Sequence, residues 1–258
     1  MDYAVLVING TDGVQGHTEI IWELLERFKI PVFIFINKLD IVSASYVQTF
    51  EDIKKHLSQN ALDFRNIYLE SGREAAFTDD LIDNLSQLDE SLLEQWLDGT
   101  VTFENLKAAL TEQIKRRQLF PCFGGCALTG EGIDRFLQTF YCLTKTSYPE
   151  ILPFSGRVFK IRYDDRQERM TYIKILSGAL QVRDSLSEAE KVHQIRFFQG
   201  ERFHTVNEAF AGDVVAVTGL KDSRAGQGLG SCRDLAVPSL HPTLQAKVIY
   251  SSGIPHRT

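Results

Sequence analysis

What this chain of 258 residues has little of already narrows its reading. No apolar run approaches the roughly 18 residues needed to cross a membrane, and no signal-peptide pattern is present. A soluble, cytoplasmic protein without a membrane partner is therefore expected. Cysteines number only 4, and Cys122, Cys126, Cys142 and Cys232 follow no disulfide-framework spacing. Cys122-x3-Cys126 has no second ligand pair nearby, which argues against zinc. Positive charge is in deficit, 28 Lys and Arg against 34 Asp and Glu, for a net charge of −6. That balance argues against non-specific coating of DNA or anionic membrane, yet it is compatible with a local patch docking on a large ribonucleoprotein. A phosphate-cradling Gly-x4-Gly-Lys-Ser/Thr loop occurs nowhere. The glycine-rich segment Lys221–Gly230 (KDSRAGQGLG) reads instead as a flexible loop between strands.

What is there is an ordinary globular composition, 43% hydrophobic and 24% charged, long enough for one large domain or two ordinary ones. The organising stretch is Pro31–Asp40, PVFIFINKLD. Five of the six residues from Val32 to Asn37 are β-branched or aromatic, and no polar residue interrupts Val32–Ile36. Such a run predicts a central parallel strand buried on both faces. Asn37, Lys38, Leu39 and Asp40 then leave its carboxyl end, where open α/β sheets bind ligands. An Asn-Lys-x-Asp placed there suits a guanine base. The Asp40 carboxylate can accept from the N1–H and the N2 amine together, donors that adenine lacks. Lys38 can lay its stem along the base plane. Asn37 can bond the base edge or brace neighbouring loops, and Leu39 should point into the core.

Upstream, Tyr3–Ile8 reads as a buried strand and Asn9–Gly13 as a turn. Ile20, Ile21, Leu24, Leu25 and Phe28 form one face of a helix, which completes a βαβ unit. Downstream, Tyr46, Phe50, Ile53 and Leu57 predict a helix, Leu81–Trp96 a second apolar stripe, and Phe103, Leu106, Leu110 and Ile114 a third, ending in Lys115-Arg116-Arg117. Those basic residues read as a solvated helix end offsetting the dipole. Leu119–Ala127 reads as a strand running into the loop Cys126-Ala127-Leu128-Thr129-Gly130, and Ile133–Leu143 as another helix.

Beyond a boundary near residues 148–152 the period changes. Val158–Tyr163, Met170–Leu176, Gln181–Arg183, Val192–Phe198 and Val214–Thr218 are short β runs separated by turns. Their order predicts a small antiparallel barrel. Leu244–Tyr250 is one further strand-like run.

This order of elements resembles the translational GTPases of the elongation factor G group, and within it the tetracycline-resistance ribosomal protection proteins. The resemblance spans essentially the whole chain. It is carried by Asp2–Thr18 (DYAVLVINGTDGVQGHT), Ile30–Asp40 (IPVFIFINKLD), Leu119–Asp134 (LFPCFGGCALTGEGID), Gly156–Ile161 (GRVFKI), Arg169–Leu180 (RMTYIKILSGAL), Glu208–Val217 (EAFAGDVVAV) and Leu240–Val248 (LHPTLQAKV). The fold it implies is α/β plus all-β. Residues 1–150 would be the C-terminal part of a P-loop-GTPase-type G domain with a helical insert at 41–118. Residues 151–236 would be the translation-factor β-barrel, and 237–258 the start of a third domain.

The resemblance also assigns roles. Asn37, Lys38 and Asp40 match the family's guanine-reading motif. Cys126, Ala127 and Leu128 match its fifth motif, in which the Ala127 N–H would bond guanine O6. Cys126 stands where the family usually has serine, so loop bracing by that side chain is expected to be looser. A phosphate-binding loop, an effector threonine and an Asp-x-x-Gly-His segment precede the first strand in the family, and none is found here. His17 lies after the strand and reads as a first-turn helix residue. The chain is therefore expected to be a fragment with Met1 an introduced start. It should expose apolar surface at one sheet edge and hold only the guanine part of GTP or GDP, with Mg2+ confined to the full-length protein. The implied partner is the ribosome, with Arg166, Arg169 and Arg183 as candidate contacts; oligomeric state stays open. The implied function is ribosome protection from tetracycline, without GTP hydrolysis by this chain alone. Translocation or release-factor recycling is the alternative, and a non-enzymatic ribosome-binding module is the alternative of another class.

Overall fold

A computed structural model describes residues 1–67, 94, 98, 100, 102–164, 166–186 and 190–236. The chain divides into two compact units, Met1–Lys145 and Thr146–Thr258. In the first, strand β2 (Val32–Asn37) lies inside a four-stranded parallel sheet with β1 (Ala4–Asn9), β3 (Ala61–Asp63) and β4 (Phe120–Gly124). The order is β1-β2-β4-β3. Val32, Phe33, Ile34 and Ile36 are 0% exposed, as an uninterrupted apolar run between two strands requires.

The pleat sends alternate residues to opposite faces. Phe33, Phe35 and Phe123 pack with Leu106, Leu110 and Ile114 of helix α3 (Phe103–Lys115) and Phe136 and Leu143 of α4 (Ile133–Leu143). On the other face Val32, Ile34, Ile36, Phe120 and Cys122 pack with Trp22 of α1 (Gly16–Arg27) and Tyr46 and Ile53 of α2 (Tyr46–His56). Helices α2 and α3 open on N-caps: Ser45 accepts from the Gln48 amide and Thr102 from the Asn105 amide. Among the described residues strand β1 ends the sheet, and its Val5 and Val7 are 40% and 57% exposed. This is apolar surface at a sheet edge of the kind expected from the sequence.

Strand β3 lies within 41–118, a stretch read as helical. Three residues are too few to show a period, and only pairing with β4 reveals the strand. The stripe Leu81–Trp96 has its apolar residues outside the described residues. So do Leu244–Tyr250 and all of 237–258.

In the second unit, β5 (Ser155–Tyr163), β6 (Arg169–Ser177), β8 (Gln194–Gln199), β9 (Arg202–Val206), β11 (Val214–Thr218) and β12 (Gly228–Gly230) form one antiparallel sheet. Its order is β12-β5-β6-β11-β8-β9, and β7 (Ala179–Gln181) pairs separately with β10 (Glu208–Phe210). Val158, Ile173, Ile175, Ile195, Val215 and Val217 share its core. Among the described residues β12 and β9 are the two ends of the hydrogen-bonded order.

The glycine-rich segment is not wholly loop, because Gly228–Gly230 pairs with β5. Backbones approach closely there. A Cβ on Gly228 would lie 2.5 Å from the Cys232 carbonyl oxygen, and one on Gly230 2.2 Å from that of Phe154. Among the described residues no helix is long and apolar enough to cross a membrane.

Candidate functional site

At the carboxyl end of β2 the chain turns sharply, and Asn37 joins two loops there. Its Oδ1 accepts from the Lys38 amide at 2.8 Å and from the Ala127 amide at 2.9 Å. The backbones add two more ties: the Gly125 amide donates to the Ile36 carbonyl at 3.0 Å, and the Leu39 amide to the Gly125 carbonyl at 3.2 Å. Lys38 holds φ 64°, the left-handed region that costs a side-chain-bearing residue about 1–2 kcal/mol. Leu39 turns inward onto the core as expected. A Cβ on either Gly10 or Gly124 would come within 2.8 Å of one of its methyls. Asp40 is exposed, with no hydrogen bond or ion pair to another described residue.

Across from it, Cys126 is 2% exposed, and its amide donates to the Glu131 carbonyl at 3.0 Å. The thiol forms no hydrogen bond among the described residues, so the loop is braced through its backbone. Leu128 is 91% exposed and Ala127 is exposed beside it. The Ala127 N–H that the family resemblance assigns to guanine O6 already donates to Asn37. A base oxygen would share that donor in a three-centre bond. Of the two roles open to Asn37, bracing is the one seen. The loops thus present one free acceptor, the Asp40 carboxylate, together with the exposed Lys38 side chain and one amide donor, Ala127, shared with Asn37. Among the described residues no group of three His, Cys, Asp or Glu is arranged to hold a metal ion.

Beneath the loops lies a polar support that sequence patterns did not reveal. The Tyr46 hydroxyl donates to Asp63 Oδ1 at 2.9 Å, and Arg65 grips the same carboxylate, Nη2 to Oδ2 at 2.7 Å. The Arg65 guanidinium lies 3.4 Å from the Tyr46 ring centroid. A Cβ on Gly124 would meet the Tyr46 ring at 2.6 Å, so this ring forms the floor under β4 where it enters the loop. Burial, then the neighbouring Cys122 and Asp63, push the Tyr46 hydroxyl pKa far up. Burial would also raise Asp63, but hydrogen bonds from Arg65 and Tyr46 outweigh it and hold the carboxyl below its usual range. The stabilisation from Asp63 is thus full above its unfolded value of about 4 and is lost as pH falls through the lower folded value. Urea midpoints at pH 5 and pH 3 should therefore converge in Asp63→Asn relative to the native chain; identical pH slopes would refute it. Tyr46 carried only an apolar-helix signal, and Asp63 and Arg65 carried none.

His17 lies exposed in the first turn of α1, as expected. In the second unit Arg166 and Arg183 are exposed, whereas Arg169 is turned to internal work, donating to the Leu220 carbonyl and to Ser223. The outer face of the antiparallel sheet instead carries an aromatic stripe. Ring centroids of Phe159 and Tyr172 are 6.1 Å apart, those of Tyr172 and Phe198 5.7 Å, and those of Phe198 and Phe203 5.4 Å. Arg196 lies 4.8 Å over Phe203 and Lys160 5.9 Å over Tyr172.

Comparison with known proteins adds the following. Residues 1–146 match the family model described as the elongation factor Tu GTP binding domain, and residues 153–231 that of elongation factor G domain 2. The tetracycline resistance protein TetP of Clostridium perfringens is 30% identical over 95% of this chain and 41% of its own length. An elongation factor G of Granulibacter bethesdensis is 27% identical over 92% of this chain and 44% of its own. A solved structure from Thermus thermophilus superposes with a TM-score of 0.77 at 23% identity, covering 94% of this chain and 43% of that one, which speaks to the fold alone. The chain thus spans less than half the length of these relatives.

Proposed function

Because this chain belongs to the elongation factor Tu GTP binding domain family, matched over residues 1–146, we propose that it supplies the guanine-reading part of a translational GTPase. In this reading the parent protein acts on the ribosome and protects it from tetracycline, as the name of the TetP relative suggests. One observation supports the guanine reading above others: Asn37 Oδ1 ties the two loops together while Asp40 stands exposed and unpartnered among the described residues. Asp40 would accept both guanine donors, Lys38 would cover the base, and Cys126, Ala127 and Leu128 would wall it. Residues 1–150 would form the C-terminal part of the G domain, 151–236 a barrel, and 237–258 the start of a third domain. The nucleotide's phosphates and Mg2+ would be held by groups of a longer protein, since this sequence has no Gly-x4-Gly-Lys-Ser/Thr loop. The aromatic outer face of the antiparallel sheet suits stacking with ribosomal RNA, and Lys160 beside it suits phosphate contact, whereas Arg196 is buried against Glu168. A cytoplasmic location follows from such a partner.

The test is calorimetric titration of this chain with GDP, with ADP and Asp40→Asn as controls. GDP is expected to bind near ~1 mM, about −4 kcal/mol. The Asn variant should lose tenfold or more, since a hydrogen bond to a charged group contributes about 1.5–3 kcal/mol. ADP binding equal to GDP would sink the guanine reading, and multiple-turnover GTP hydrolysis by the chain would sink the statement about phosphates. The elongation factor G relative favours translocation as the second reading. Resistance conferred on a sensitive host by the full-length gene decides between the two.

A further inference from the structure

The first unit has a second recess, at the opposite end of its parallel strands. Here α1 hands the chain to β2, α2 to β3, and α3 to β4. The recess measures about 560 Å³ and is lined by Trp22, Lys29, Lys115, Arg116, Arg117 and Phe120, among others. Cations near helix C-termini offset the exposed carbonyls, and this alone could account for a basic rim. It does not account for the backbone. Lys29 holds φ 53° and Arg117 φ 60°. Each stands one residue past a helix C-cap, Phe28 and Arg116. Glycine commonly fills that position because a side chain there costs about 1–2 kcal/mol. Two independent helix ends thus accept strain, and both aim a cationic residue at one recess. Strain that recurs at one place is a pointer to function.

The charges are also poorly matched. Arg116 is engaged by Glu112 at 2.6 Å. Lys29 and Lys115 have no ion pair among the described residues. The Arg117 guanidinium is wedged 5.0 Å from the Trp22 centroid and 5.2 Å from that of Phe120, and donates one N–H to the Ile30 carbonyl. No described carboxylate is hydrogen-bonded to it. Glu26, whose charge acts on Arg117, is the one carboxylate in the lining, against Lys29, Lys115, Arg117 and the Glu112-paired Arg116. The chain as a whole carries −6, so this basic concavity runs against the overall charge. Ser58 and Asn60 add neutral hydrogen-bonding groups to the wall.

We propose that this recess binds a phosphate ester, held by Lys29, Lys115 and the free edge of Arg117. The volume falls in the range of sites for nucleotide-sized ligands. The phosphate could belong to a free phosphorylated small molecule or to an RNA strand, and the same three cations would take either. The site lies away from the Asn37–Asp40 loop and does not depend on the guanine reading.

Trp22 in the wall makes the test direct. The full chain carrying Trp96→Phe, which leaves Trp22 as its one tryptophan, is titrated with inorganic pyrophosphate and separately with a single-stranded RNA octamer. A saturable change in Trp22 emission is expected with pyrophosphate. Lys29→Gly combined with Lys115→Gln should weaken it at least tenfold, while Lys145→Gln, an exposed charge loss outside the recess, should not. The double variant keeps the Arg117 stack and places glycine where φ is already positive, so its melting temperature should hold. Response to pyrophosphate but not to RNA assigns a small phosphorylated ligand, and tighter response to RNA assigns a strand phosphate; either supports the site. No saturable response to either probe, or an unchanged affinity in the double variant, overturns it.

Discussion

Replacing Gly125 by alanine is expected to destabilise the first unit by about 3 kcal/mol and to uncouple the Asn37–Asp40 and Cys126–Gly130 loops. A Cβ at this position would lie 2.1 Å from the Glu131 carbonyl oxygen and 3.2 Å from the Gly132 Cα. Both are backbone atoms that no rotamer change can clear. Overpacking of flexible surroundings costs about 1–3 kcal/mol, and a clash with fixed backbone belongs at the upper end. Gly125 also carries the ties that set the loop geometry, donating to Ile36 and accepting from Leu39, while the next amide, Cys126, donates to Glu131. Pushing Glu131 away breaks that last bond and moves Ala127 off Asn37. Gly130→Ala is the control. Its φ is 84°, but nothing lies within 4 Å of the added Cβ. Only conformational strain of about 1 kcal/mol is then expected. Denaturant midpoints of the two variants, with hydrogen exchange at the Ala127 amide, separate these cases. Equal destabilisation by both would show that close backbone approach at Gly125 is not what matters.

This glycine illustrates where sequence reasoning reaches and where it stops. Val32–Ile36 announced a two-sided burial because nothing polar interrupted it, and helices α1, α2, α3 and α4 each showed an apolar face at the helical period. Asn37 was recognisable as either a base contact or a brace. Choosing between them required knowing that the Ala127 amide comes within 2.9 Å, 90 residues away in sequence. The Tyr46–Asp63–Arg65 support stayed hidden for the same reason. Its members are ordinary one by one, and their meeting depends on the pairing of β3 with β4. Strand β9 was missed because Arg202–Thr205 are all exposed, so no face of it is buried to produce an alternation. Strand β12 was missed because glycine reads as loop in a sequence, and here it marks close strand approach.

Phe123→Ala is expected to cost about 3–5 kcal/mol, the usual range for emptying an aromatic site in a core. Phe123 is 2% exposed and sits in β4, opposite Phe35 of β2. Its ring centroid lies 5.2 Å from that of Phe136 and 5.6 Å from that of Phe64. It therefore fastens α4 and the segment after β3 to the sheet at once. The site feels the change because Phe123 stands only two residues before Gly125, and α4 begins just after the Cys126–Gly130 loop. Loosening both flanks leaves that loop held to β2 and its following turn by the Asn37 side chain and by the Gly125 amide and carbonyl. Phe123→Leu retains most of the apolar volume and is expected to cost markedly less. Trp22 emission in a Trp96→Phe background follows urea unfolding of the first unit, and GDP titration follows the loops. If Phe123→Ala lowers stability by the expected amount but leaves guanine selectivity intact, β4 anchors the sheet without setting the loop. If selectivity falls in step with stability across Leu and Ala, the aromatic cluster and the loop behave as one unit. That outcome is the one expected, because β4 is a central strand, paired on one side with β2 and on the other with β3, and enters the loop without an intervening turn.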